Sequence, residues 1–513
     1  MKDIASDAPI VHGRDLPCGF RHACDVVVVG SGASGMTVAT LLAEAGHDVL
    51  ILEEGPYHRQ EDIGRFEPST ALRRLFREAG MVAAVGVGQT PIISLTLGRA
   101  VGGSSLLTGG VCYRIPSAVH DRWVDEHGLD EVSERSLEAA YEAVEARMAV
   151  REVPDSMRSE SSNRFVLGAE RLGYTMHPLR RNTGEGCEGN GRCNFGCPAG
   201  AKRSVDVSYL PDFVAHGGRV VSDALVDRVV VKNGRAAGVR GRLLGGKYGA
   251  PSYAFEVEAR AVVVCSGTIH TPQLLRSIGL RSHGLGRYIT LHPAARVVAR
   301  FPDRLNGWDG ALQSCYSDDL ESEGILFNSV YTAVNVIAAG LPGIGPALLE
   351  RARQIPNLAM FGTMVHDEAG GYVTSGVGRE PTLVYEMAPN DLQRLKKGMR
   401  VLSEMALEAG AEEVILPIFG VPPITSRAQA LAMERDPIDA RRIECLAFHP
   451  LGSARMANDS RRGTVDTSGE CFEAPGLYVA DGSILPTSIG VNSQVPIMAM
   501  ATRIAWRLCE RLV

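Results

Sequence analysis

The chain has 513 residues, 45% hydrophobic and 22% charged, and its 53 basic and 59 acidic side chains give a formal charge of −6. A chain of this size buries roughly three quarters of its unfolded surface and divides into about two or more structural units, which excludes disorder as the default. The small negative charge excludes a basic face for nucleic acid as a property of the total, so small-molecule partners are expected. The start Met1-Lys2-Asp3 is polar and no apolar run follows it, so no secretion signal is expected. Two uncharged stretches, 79–98 and 325–349, are interrupted by proline, glycine and side chains such as Gln89, Asn328 and Asn335; neither reads as an integral membrane segment. Eleven cysteines, an odd number, argue for reduced thiols and a cytoplasmic location.

The first predicted elements are the most specific. Asp25-Val-Val-Val-Val-Gly-Ser-Gly-Ala-Ser-Gly35 joins a β-branched strand to a glycine turn and a helix over 36–45. Gly30, Gly32 and Gly35 stand at G-x-G-x-x-G spacing, with Ala33 and Ser34 between the last two. Gly30 permits the tight turn, Gly32 lets backbone approach a pyrophosphate, and Gly35 lets the helix pack closely, its N-terminus facing the phosphates. A second strand over 47–52 ends at Glu53, where a carboxylate can accept from ribose hydroxyls. This β-α-β-Glu frame reads as a dinucleotide site.

Further along, Gly98 to Arg114 combines Gly102-Gly103-Ser104-Ser105 with Thr108-Gly109 and suits backbone lying against a cofactor. A helix is expected over 136–149, then a glycine-rich loop with Cys187, Cys193 and Cys197 at C-x5-C-x3-C spacing. Strands over 218–222, 226–231 and 237–242, with a turn at Lys232-Asn-Gly234, read as a sheet with a hairpin. The strand 261–265 runs into Gly267-Thr-Ile-His-Thr-Pro-Gln-Leu-Leu-Arg-Ser277, read as the start of a helix. From 290 to 440 the glycine fingerprints vanish and strand-like runs such as 294–299 and 358–364 dominate, as expected of a substrate domain. Within it, 325–349 is apolar and reads as core or as the mouth of a pocket. A strand over 476–480 and a helix from Pro496 close the chain.

Five blocks in order, Gly30 to Gly35 with Glu53, Gly102 to Ser105, Gly267 to Ser277, His449-Pro-Leu-Gly-Ser453, and Asp481-Gly482 leading to Asn492, resemble the glucose-methanol-choline (GMC) flavoprotein oxidoreductases over nearly the whole chain. Gly196 to Leu210 and Gly110 to Pro116 resemble the long-chain alcohol oxidase branch. The resemblance implies a mixed α/β fold, in which a Rossmann-like FAD-binding domain adjoins a substrate domain built on an antiparallel sheet, like that of p-hydroxybenzoate hydroxylase. It implies a discontinuous FAD-binding domain over 22–116, 200–289 and 441–513, a helical region with the cysteine loop over 117–199, and a substrate domain over 290–440. It also implies FAD as cofactor, with Glu53 on the adenosine ribose, Val226 backbone at the adenine, Gly102 to Ser105 near the flavin, and Thr108, Asp481 and Gly482 in the cofactor site.

The implied reaction is oxidation of an alcohol to a carbonyl, with proton removal by a base and hydride delivery to flavin N5. Histidine suits the first task because its ordinary pKa lies near neutrality. His449 matches the family's catalytic histidine, and Asn492 matches the second active-site position, where an amide orients the substrate oxygen. His292, which also precedes a proline, is read as structural or one layer behind the reacting atoms. Asn492 has a competing role as cap of the final helix. Thr108-Gly109 stands where the family commonly has an asparagine, and no histidine lies between Pro91 and Pro116, so the FAD is expected to be non-covalent. The cysteine spacing also resembles that of sugar dehydrogenases with a three-cysteine iron-sulfur cluster, which leaves a second reading open: Cys187, Cys193 and Cys197 as ligands of an electron relay. The apolar character of 325–364 points to a hydrophobic alcohol, with O2 or another acceptor taking the electrons. Flavin-containing lyases of the same family remain a third reading.

Overall fold

The computed structural model describes residues 8–245, 251–368, 370–376 and 380–512. Its first sheet is mostly parallel. The valine run lies in the strand Arg21–Val29, and Val26 to Val28 are fully buried. This strand pairs in parallel with Val49–Leu52 on one side and Pro251–Val264 on the other. Arg219–Ser222 and Ile10–His12 continue the sheet beyond Val49–Leu52, and Leu477–Val479 pairs in parallel with the end of Pro251–Val264. A strand covered on both faces needs a continuous apolar run rather than alternation, which is what residues 26–29 supply. The hairpin Ala224–Lys232 and Arg235–Leu244 closes on Asn233 and Gly234, with φ of 52° and 76°, a pair that matches the twist of two-residue hairpins.

The helix Ala33–Glu44 lies on this sheet, and the terminal helix Gln494–Leu512 packs against it. The terminal helix starts two residues before Pro496, so Ser493 rather than Asn492 adjoins its first residue.

The second sheet is predominantly antiparallel around Ala294–Arg300, Leu358–Val365 and Ile325–Ser329. The helix Pro389–Glu408 covers it, with Gly398 so close that a Cβ there would meet Thr363 Oγ1 at 2.4 Å. Val82–Gly86, Ile93–Leu95 and Cys445–Ala447 also belong to this sheet, joined partly by parallel pairs, so the spans 22–116 and 441–513 contribute strands to both sheets. The apolar segment 325–349 divides: Ile325 to Phe327 are buried in a strand, whereas Val334–Gly340 and Pro346–Arg353 form helices around Ile344, which is 90% exposed. Among the described residues no helix is long and apolar enough to cross a membrane.

Candidate active site

The glycine turn is built by close approach. Gly30 has φ of 99°, and a Cβ there would meet Cys265 O at 2.4 Å. A Cβ on Gly35 would meet Gly30 O at 2.0 Å, which lets the helix Ala33–Glu44 press onto the turn. Gly32 differs: a Cβ there would meet no protein atom within 4 Å, because the residue borders a cavity. That cavity, of about 440 Å³, is lined by Gly30, Gly32, Ala33, Ser34 and Glu53 as well as by Val226, Gly103 to Ser105, Asp481, Gly482 and His449. One space thus connects the nucleotide turn to the histidine. Gly35, Gly102, Thr108 and Asn492 lie outside its lining.

Ser31, a variable position of the fingerprint and absent from the sequence-derived set, organises this end. Glu53 accepts from Ser31 N at 2.9 Å, from Ser31 Oγ at 2.7 Å and from Gly55 N at 2.8 Å. Ser31 Oγ in turn accepts from Gly102 N at 3.1 Å. The three bonds hold a buried carboxylate whose pKa burial pushes upward, and they join two motif blocks that lie far apart in sequence. Gly103 reaches the turn itself, since a Cβ there would meet Gly32 Cα at 2.7 Å. Ser104 Oγ accepts from Gly98 N at 2.9 Å, and Ser105 Oγ donates to Gly102 O at 2.6 Å. Thr108 Oγ1 donates to Ser105 O at 3.3 Å, a bond within the loop itself. Val226 stands where the register of its hairpin shifts, which frees backbone from the ladder on the cavity side. Asp481 accepts from Gly267 N at 2.8 Å, Thr271 Oγ1 at 2.6 Å and Ser483 N at 2.9 Å, tying the two later blocks together.

His449 follows the strand Cys445–Ala447 and is half-buried. Its Nδ1 is enclosed without a hydrogen-bond partner while the imidazole lines the cavity, which leaves Nε2 as the nitrogen open to a ligand. Burial pushes its pKa down to about 4, so the ring is neutral, with a free lone pair, at ordinary pH. The Asn492 side chain is half-buried and makes no hydrogen bond to any described residue, so its amide is available to a ligand. His292, read from sequence as structural or one layer behind the reacting atoms, lies against His449: the two rings are 5.5 Å apart between centroids. Its Nε2 accepts from Ile489 N and Gly490 N, both at 3.2 Å, and so holds the segment that leads to Asn492. Asp367 secures the same corner, accepting from His292 N at 3.0 Å, Leu291 N at 2.8 Å, Ser488 Oγ at 3.0 Å and Tyr385 OH at 2.6 Å. The Leu-His-Pro string carries no local signal of this contact.

The cysteine loop buttresses the Gly102 to Ser105 block. Lys202 Nζ, fully buried, donates to Leu106 O at 2.6 Å and Cys193 O at 2.8 Å, with burial pushing its pKa down to about 8. Arg181 donates to Gly109 O at 2.6 Å and to Cys193 Sγ at 3.0 Å. Cys187, Cys193 and Cys197 line one small cavity, yet among the described residues no three His, Cys, Asp or Glu side chains converge in a way that could hold a metal ion.

The chain matches the GMC oxidoreductase family over residues 25–294 and again, in its C-terminal part, over 371–501. It is 37% identical to an uncharacterized GMC-type oxidoreductase of Mycobacterium tuberculosis, over 99% of this chain and 79% of that protein. It is 29% identical to a long-chain-alcohol oxidase of Arabidopsis thaliana, over 96% of this chain and 68% of that one. Among solved structures, formate oxidase of Aspergillus oryzae superposes with a TM-score of 0.73 at 16% identity, covering 97% of this chain and 100% of that chain. Pyridoxine 4-oxidase of Mesorbium loti does so with a TM-score of 0.71 at 18% identity, covering 94% and 99%. FAD is the cofactor this membership implies, and the open face of Gly32, the held carboxylate of Glu53 and the single cavity running to His449 fit it. The chain belongs to the GMC oxidoreductase family.

Proposed function

We propose that the chain oxidises a hydrophobic alcohol to its aldehyde or ketone with non-covalently bound FAD, in the cytoplasm, with O2 or another small acceptor completing the cycle. The observation that carries this reading is the open imidazole nitrogen of His449 on the cofactor cavity, whose lining also includes Ser493, the neighbour of the unengaged amide Asn492. The chemistry FAD supplies when bound is acceptance of a hydride from the alcohol carbon. His449 Nε2 takes the hydroxyl proton, and the Asn492 amide holds the substrate oxygen in line. His292 keeps the 489–490 backbone in place while staying neutral, since burial pushes its pKa far down and its Nε2 is already accepting. The absence of any histidine between residues 91 and 116 supports non-covalent binding. The relatives that act on long-chain alcohols support an apolar substrate. All eleven cysteines are free, which supports a reducing compartment.

Anaerobic titration of the yellow holoprotein with a panel of alcohols, followed by air, tests the reading. Bleaching by at least one alcohol is expected; a colour that no alcohol discharges would defeat it. Asn492→Ala removes no bond to protein, so it should fold normally and lose about tenfold in kcat/KM, the worth of one oriented hydrogen bond. A loss accompanied by a lowered melting point would instead mark Asn492 as structural. The pH profile follows from the base. His449 is inactivated only when protonated, near pH 4, so kcat/KM should remain level from pH 8 down to about 5. An acid limb near pH 6.5 would assign proton removal to a different group.

A further inference from the structure

A second cavity, of about 960 Å³, lies on the other side of the segment that carries Asn492: Gly490 and Val491 line it, whereas Ser493 lines the cofactor cavity. Two arginines in its wall have no acidic partner among the described residues. Arg122, on the helix Ser117–His127, makes no hydrogen bond or ion pair with a described residue, and its Nε is enclosed without an acceptor. Arg455 lies with its guanidinium 4.2 Å from the Tyr288 ring centroid, makes one long bond of 3.4 Å to Tyr288 O, and also has an unsatisfied Nε. The two guanidinium groups repel: burial and Arg122 push the pKa of Arg455 down to about 10. Arg122 likewise helps hold His366, on the same wall, down to about 4.

The other charges around the cavity are already engaged or of the opposite kind. Arg394 is bound to Asp391 at 2.6 Å, and Arg114 to Glu138 and Glu145. Asp367 is saturated by its four donors, and Asp318 lies 3.4 Å from His177 Nε2. Glu321 and Glu368 complete the acidic side of the wall, Glu368 only 3.9 Å from Arg394. Two partly buried cations on one wall, neither paired with a carboxylate among the described residues, border a space of ligand size, and planar, multidentate guanidinium groups bind an oxyanion best.

We propose that this cavity is a binding site for a carboxylate or phosphate group, held by Arg122 and Arg455. The anion comes either from the far end of the alcohol or from a separate small molecule. Its binding does not depend on turnover and so stands apart from the reading of the active site.

The test titrates the holoprotein with inorganic phosphate and with acetate at constant ionic strength in chloride, following the melting temperature and calorimetry. Saturable binding is expected, weakened about tenfold or more in Arg122→Met. In chloride alone Arg122→Met should melt no lower than the parent, because it breaks no bond and removes a repulsion; Arg455→Met serves as the second variant. Non-saturable effects, or equal binding by the parent and both variants, would overturn the proposal. The source of the anion is read from KM for an ω-hydroxy carboxylate against an uncharged alcohol of equal length. A rise in Arg122→Met for the hydroxy acid alone places the anion on the substrate. Unchanged KM values with phosphate binding lost place it on a separate ligand.

Discussion

Replacing His449 with alanine is expected to slow anaerobic reduction of bound FAD by alcohol about 10²–10⁴-fold, with the FAD content of the purified protein unchanged. The separation of rate from binding follows from the geometry. The imidazole lines the cofactor cavity but makes no hydrogen bond to a described residue, so its loss breaks no network among them. Its packing against Phe448 and His292 is loose enough, at centroid distances of 6.1 and 5.5 Å, for truncation to leave the strand Cys445–Ala447 in place. Stopped-flow absorbance under nitrogen measures the effect. Normal reduction by His449→Ala would remove the base assignment and leave the fold untouched.

Gly32→Val should abolish cofactor retention while preserving the fold. At φ −64° and ψ −171° the position accepts any L residue, and no protein atom lies within 4 Å of the added Cβ. The side chain therefore projects into the space at the helix N-terminus where a pyrophosphate has to approach, and FAD affinity should fall at least tenfold, more than about 1.4 kcal/mol. Gly35→Ala makes the contrast, because its methyl would strike the backbone oxygen Gly30 O at 2.0 Å and should destabilise the protein itself. Circular dichroism and flavin absorbance distinguish the two. A yellow Gly32→Val protein with normal FAD content would mean the cofactor lies elsewhere.

What the chain reveals on reading is what local chemistry dictates. The valine run, the glycine turn and the Asn233-Gly234 hairpin each carry their own backbone demand, and each forms where expected. The limits are nonlocal. Ser31 has no feature that marks it as the link between Glu53 and Gly102; its role exists only once those blocks meet. His292 and His449 are far apart in sequence, and the pairing of Ala294 with Leu446 and of Thr290 with Leu451 brings them together. The assignment of Val82–Gly86 and Ile93–Leu95 to the second sheet is equally silent in sequence, since neither strand's period says which sheet it joins. Arg122 reads as an ordinary helix-surface charge until its missing partner is seen in three dimensions.

The late placement of Leu477–Val479 and Gln494–Leu512 in the first sheet and its covering layer bears on how the protein is made. During synthesis the buried strand Arg21–Val29 leaves the ribosome more than four hundred residues ahead of the helix that finally shields Ala33–Glu44. For that interval the nascent chain carries an unshielded apolar surface, a hazard that grows with chain length and that chaperones relieve. Asp481, which lines the same cavity as Gly30, is made more than four hundred residues after it, so that cavity is complete only late in synthesis.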